Sequence, residues 1–161
     1  MLIEDLSFHC SHRTLHSKVL YPYVHKMHHE HKATFSLASY YAHPIEFIFG
    51  NLVPIALPVF ILGTRMHYTT ALTWYVLRSL ESVEGHSGYD FSWSPFRCLP
   101  FASDYAYHAY HHNHNIGNYS SFFTVWDTVF GSNGVYYDYL AETRQEGPQE
   151  HGEDKDIKKV K

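Results

Sequence analysis

Cysteine is nearly absent from this 161-residue chain. Cys10 and Cys98 stand far apart and form no CxxC pair, which excludes a zinc ribbon and a thioredoxin-like motif. Nothing else marks a secreted disulfide scaffold. The N-terminus, MLIEDLSFHC, lacks a basic region followed by an apolar run, so no signal peptide is expected there. Positive charge is scarce as well. Lys and Arg number 12 against 16 Asp and Glu, a formal net charge of −4, and nucleic acid is not an expected partner. No HExxH occurs, so a zincin would lack its general base. Long apolar runs are missing too. The best is Phe47–Gly63, FIFGNLVPIALPVFILG, 17 residues without a charge but interrupted by Pro54 and Pro58. A helix needs ~20 apolar residues to cross a bilayer core, with ~17 as the lower limit.

What the chain has in excess is histidine. Its 15 histidines outnumber all Lys and Arg together. Three clusters dominate: His12-Arg-Thr-Leu-His16, His25-Lys-Met-His28-His29 and His108-Ala-Tyr-His111-His112. On a helix of ~3.6 residues per turn, positions i, i+3 and i+4 share a face, so each cluster points two or three imidazoles the same way. Neutral imidazole binds iron, zinc and copper well. Eight histidines are too many for one ion and suit two ions sharing a pocket. A structural zinc site uses four ligands. The carboxylate-rich di-iron bundle relies instead on Glu and Glu-x-x-His.

The rest of the chain organises around these clusters. Residues 1–31 are expected to be helical, broken at Pro22 and resuming at about Tyr23. Residues 32–46 form a connector. A second apolar stretch, Met66–Leu80, follows Phe47–Gly63 and contains His67 and Arg78. A single crossing by residues 47–63 would put the third cluster on the opposite side of a membrane from the first two. A hairpin over about 47–80, entering and leaving by one face, keeps all three together; a buried, non-crossing helix pair does so too. Gly85, Gly88, Pro95 and Pro100 mark loop and turn before the third cluster. Aromatics make up 17% of the chain, which suits either a lipid interface or an aromatic core. From about residue 141 the chain is charged and poor in apolar residues, and reads as disordered. It ends Lys158-Lys159-Val160-Lys161, which resembles the dilysine retrieval signal of endoplasmic-reticulum membrane proteins.

The three boxes together with YYAHPIE, ESVEGHSGYD and HHNHNIGNYSSFFTVWDTVFGS resemble the fatty acid hydroxylase superfamily of membrane di-iron oxygenases, the sterol desaturase-like group. AHPIE, HSGYD and IGNY resemble its sterol C4-methyl oxidase branch, the methylsterol monooxygenases. The resemblance covers about residues 5–133. It implies an all-α fold, a membrane-associated helical di-metal domain over residues 1–140 with the hydrophobic hairpin, followed by the 141–161 tail. It implies a monooxygenase that hydroxylates a sterol or related lipid at a C4 methyl group, using two irons and O2, with zinc as a substitute in isolated protein. Electrons would come from NAD(P)H through cytochrome b5 or its reductase. The implied setting is the endoplasmic-reticulum membrane, with the metal site facing the cytosol.

The implied metal ligands are His12, His16, His25, His28, His29, His108, His111 and His112, with His86 of HSGYD as a further one. His43 of AHPIE is read as structural or as a ligand's neighbour, and Asp90 and Asn118 as groups orienting a ligand or a water. His9, His31 and His114 are placed near the site at best, and His67 and His151 outside it. Only 11 residues precede His12, fewer than the resemblance implies, and Tyr107 stands where the likeness often has a histidine. Two further readings therefore stand beside the leading one: an N-terminally shortened, non-catalytic metal-binding paralogue, and the same chemistry as a sterol C5 desaturase or fatty acyl hydroxylase.

Overall fold

The structure, a computed structural model, describes residues 1–146. Among them the chain is all helical, as expected, with a single bridge between Ala102 and Phe123 in place of any strand. Six helices carry the fold. They are α1 (Leu2–Leu15), α2 (Pro44–Arg65), α3 (Tyr68–Gly85), α4 (Tyr105–His114), α5 (Val125–Phe130) and α6 (Gly134–Glu146). Short 3₁₀ turns at His25–Glu30, Ser36–Tyr40 and Pro95–Cys98 fill the connections.

α1 buries Glu4, Asp5, His9, His12 and Leu15, one helical face made almost wholly of polar side chains, and exposes Leu2 and Ile3. Charge pairing makes this possible. Arg78 of α3, itself buried, donates to Glu4 (Nε to Oε1, 2.9 Å), to Glu81 and to Ser121. Asp5 accepts the backbone N–H groups of Phe122 (2.8 Å) and Phe123 (3.2 Å), although burial raises its pKa to about 6. These bonds pin the start of α1 to α3 and to the segment before α5.

The first break comes earlier than Pro22. α1 stops at Leu15, and residues 16–24 run as overlapping turns before the His25–Glu30 3₁₀ helix. Ser17 Oγ accepts the Leu20 N–H (3.3 Å), offering the backbone a turn in place of the next helical bond. Pro22 lies inside the turns, where its missing N–H costs little.

α2 continues through both of its prolines. Pro54 and Pro58 cannot donate to the carbonyls four residues back, and the helix widens into a π turn over Phe47–Leu52. Gly50, Pro54 and Pro58 are spaced four apart and form its buried stripe. A Cβ on Gly50 would meet Leu15 Cδ1 at 3.2 Å, so glycine lets α1 approach closely. α2 is the one helix among the described residues long and apolar enough to cross a membrane, with a mean hydropathy of 2.1. The chain leaves the histidine clusters at Glu46 and returns to them at His86, as both the hairpin and the buried helix pair require.

Among the described residues, 7 hydrophobic residues are buried against 19 polar or charged ones. Phe49, Leu52, Phe60, Ile61, Leu77 and Leu80 lie on the outside. A water-soluble domain does the reverse, so an apolar medium is the natural surrounding of α2. α6 reaches Glu146, six residues into the stretch expected to be disordered from 141; the rest of that stretch, with His151 and the terminal lysines, lies outside the described residues. Cys10 and Cys98 are both free and exposed.

Candidate metal centre

Nine histidines converge beneath α1, and they are the nine singled out in the sequence. They divide into two groups: His12, His16, His25, His29 and His111 in one, and His28, His86, His108 and His112 in the other. Within each group the ligand-type nitrogens lie within 4.8 Å of one another. The division cuts through the HxxHH boxes. In the second box the first and last histidines enter the five-membered group and the middle one the other. In the third box the pattern is reversed. The planes of neighbouring rings lie nearly at right angles, His28 to His29 at 85° and His111 to His112 at 89°.

Five of the nine rings are held from behind. Nδ1 of His12 donates to Tyr119 O (2.8 Å), of His28 to Tyr41 O (3.2 Å), of His86 to Ser82 O (2.8 Å) and of His111 to Gly117 O (2.6 Å). Nδ1 of His25 donates to the Glu46 carboxylate (2.8 Å). These bonds fix the tautomer and aim Nε2 inward. Burial pushes the imidazoles toward the neutral form, lowering His12 and His28 to about 4 and His86 to about 3. A neutral ring whose Nδ1 holds the proton has a bare lone pair on Nε2. Yet His12 and His25 face each other through Nε2 at 3.1 Å, and His28 and His86 at 3.3 Å. Neither pair has a proton to share. One such conflict sits in each group, and a cation between the rings removes it. Nitrogens bound to a common ion at ~2.0–2.1 Å lie about 3.0–3.4 Å apart, so the donor set fits a metal in both positions.

The loop after α4 supplies two of these backbone acceptors. Gly117 (φ +67°) and Asn118 (φ +52°) are left-handed, and Asn118 donates from Nδ2 to Tyr107 O (2.9 Å). Asn118 thus shapes the loop between the two carbonyls and touches no ligand ring directly. Asp127 of α5, fully buried, accepts Tyr119 N–H (2.9 Å), Ser120 N–H (2.8 Å), Tyr107 OH (2.8 Å) and Ser132 OH (2.6 Å). Burial opposes the charge of Asp127, but the donors around it, with His9 first among them, hold its pKa at about 2.

A Cβ at Gly117 would also collide with the Ser132 carbonyl oxygen, whereas one at Gly131 (φ +65°) meets nothing within 4 Å. Left-handed backbone alone costs a side chain roughly 1–2 kcal/mol. Gly117→Ala is therefore expected to lower the melting temperature clearly more than Gly131→Ala. Equal losses would show that the loop is not tightly packed.

One further expected role moves. Asp90 is exposed and pairs with Arg97, not with a histidine. His43 caps α2 by accepting Ile45 N–H (3.2 Å), and His67 caps α3 by accepting Thr69 N–H (3.3 Å). His9 stacks on Phe130 beside Asp127, His31 packs on Tyr41, and His114 stacks on Tyr110. Glu46 and Asp127 were not singled out, although both lie in motifs that were, AHPIE and TVWDTVFGS. A cleft opens onto both groups, lined by His12, His28 and His108 and by Phe8, Leu15 and Phe96.

Two histidine-rich groups inside a helical domain with an apolar helix on its exterior describe a membrane-type protein with two candidate metal positions. Residues 1–132 match the fatty acid hydroxylase family model, and the chain belongs to that family. It is 44% identical over 138 residues to a methylsterol monooxygenase of Arabidopsis thaliana, covering 84% of this chain and 51% of the relative. The same identity and length relate it to a very-long-chain aldehyde decarbonylase of Oryza sativa subsp. japonica, at 84% and 50%. A methylsterol monooxygenase of Rattus norvegicus is 37% identical over 150 residues, at 91% and 49%. The chain thus spans about half the length of these curated relatives. No solved structure matches it.

Proposed function

We propose that this chain carries the dinuclear centre of a membrane monooxygenase that hydroxylates a sterol or related lipid, at a methyl group on C4. The observation that carries this reading is the pair of facing Nε2 contacts, one in each group, between rings that have no proton to share. His12, His16, His25, His29 and His111 would hold one ion, and His28, His86, His108 and His112 the other. Iron bound there would supply the O2-dependent oxidant that no side chain can provide, with electrons from NAD(P)H through cytochrome b5 or its reductase.

The chain's own residues do the rest. Carbonyls of Tyr41, Ser82, Gly117 and Tyr119 keep the imidazoles in one tautomer. Phe8, Leu15 and Phe96 give the cleft an apolar wall that suits a lipid and excludes water. α2 and α3 seat the domain in the endoplasmic-reticulum membrane with the centre on the cytosolic side. The names of the Arabidopsis and rat relatives support a methylsterol substrate. The rice relative's name supports a second reading, the same centre acting on a long acyl chain.

Membranes from cells expressing the gene, supplied with NAD(P)H, O2 and iron, are expected to convert a 4-methylsterol to its 4-hydroxymethyl product. Metal-loaded membranes that yield no oxidised sterol overturn the sterol assignment. Lipid profiles of a knockout that change only in long-chain acyl species would favour the second reading.

A further inference from the structure

Glu46 has a part that the metal centre does not use. Its Oε1 accepts the proton on His25 Nδ1, but its Oε2 is buried and has no partner. The residue is only 4% exposed and lines the cleft. A buried carboxylate oxygen without a donor is a cost that the protein leaves standing. Ser39, a hydroxyl in the same lining, does not offset it, because it donates to Ser36 O (2.8 Å). One turn further along α2, Gly50 keeps the space beside Glu46 open: a Cβ there would sit 3.5 Å from Glu46 Cγ and 3.2 Å from Leu15 Cδ1.

We propose that Glu46 Oε2 accepts a hydrogen bond from a hydroxyl group of the substrate, and so determines which lipid is oxidised and where. This rests on the reading of the centre as a lipid oxygenase. A neutral alcohol brings one donor for one bare oxygen and carries no charge past Phe8 and Leu15. The position sets a rule for the substrate. Glu46 stands one imidazole ring behind the five-histidine group, since Nε2 of the ring it holds faces those of His12 and His29 at 3.1 Å. A hydroxyl held there lies only a few covalent bonds from the carbon presented to that group. A 3-hydroxy-4-methylsterol meets this rule, because its methyl carbon is two carbons from the one bearing the hydroxyl. A long-chain lipid with its only polar group far from the oxidised carbon does not.

The test measures binding to the full chain loaded with zinc, which cannot turn over. The ligands are a 3-hydroxy-4-methylsterol, its 3-ketone and its 3-deoxy analogue, with wild type and Glu46→Gln. A site built around a substrate hydroxyl rejects analogues lacking it by large factors. Wild type is expected to bind the alcohol at least about tenfold tighter than either analogue. Glutamine still accepts from His25 but turns an N–H₂ toward the cleft, so Glu46→Gln is expected to lose the preference for alcohol over ketone or reverse it. Two zinc ions per chain in both proteins show that the variant is folded.

Wild type binding all three sterols equally overturns the hydroxyl assignment alone. So does a preference that Glu46→Gln leaves unchanged. If Glu46→Gln does not hold zinc, the comparison of alcohol with deoxy sterol in wild type decides by itself. A folded chain that binds no sterol overturns the lipid-oxygenase reading, and this one with it.

Discussion

Asp127→Ala is expected to unfold the domain more readily than any other single change away from the histidines. Four donors, Tyr119 N–H, Ser120 N–H, Tyr107 OH and Ser132 OH, would lose their acceptor in a buried place. Each buried donor left unsatisfied costs ~1–3 kcal/mol, and neighbouring losses are not additive, so a total of about 4 kcal/mol is expected. For a domain of this size that lowers the melting temperature by about 10 °C or more. The same change releases the carbonyls of Tyr119 and Gly117, and so frees His12 and His111 to turn. Calorimetry in detergent and metal analysis should both register it. A variant that melts like wild type would show that Asp127 is a bystander.

The sign of the pH effect at Asp127 follows from its pKa of about 2. A carboxylate held below its usual value stabilises the fold above the unfolded pKa of ~3.9, and that contribution is lost as pH falls toward 2. Thermal stability should therefore decline in that acidic window through Asp127. The Asp127→Ala protein should lack this part of the decline.

His28→Ala and His29→Ala, adjacent in sequence, should behave differently. His28 belongs to the group of four, and removing it leaves three histidines; His29 belongs to the group of five, and removing it leaves four. Bound metal is expected to fall from two ions to about one per chain in His28→Ala. His29→Ala should retain both ions, one of them weakly held, since four ligands still complete a tetrahedral site. Metal analysis after dialysis, together with the absorption spectrum of the cobalt-loaded proteins, distinguishes the two. Identical losses would contradict the division of the boxes between two positions.

The nine inward histidines were legible because helical spacing alone puts i, i+3 and i+4 on one face, and likeness to a family added His86. Which ring serves which group was not. It depends on the 3₁₀ path of His25–Glu30 and on how α4 is rotated against α1, both set by packing. The end of the first helix was misplaced because Pro22 is the loudest breaker in the segment, while the turn is made by Ser17. Pro54 and Pro58 looked like interruptions but, with Gly50, form the buried stripe of α2. Glu46 and Asp127 were overlooked for one reason. An acidic residue in a sequence looks solvated until its neighbours are known, and here the neighbours come from 21 and 8 residues away.

Adjacent histidines that serve different groups are joined by a single peptide unit, His28 to His29 and His111 to His112. A shift of that peptide unit in either box therefore moves one ring of each group together. A change that shifts the backbone of either box should therefore disturb both positions, whereas loss of a single ring should disturb only its own.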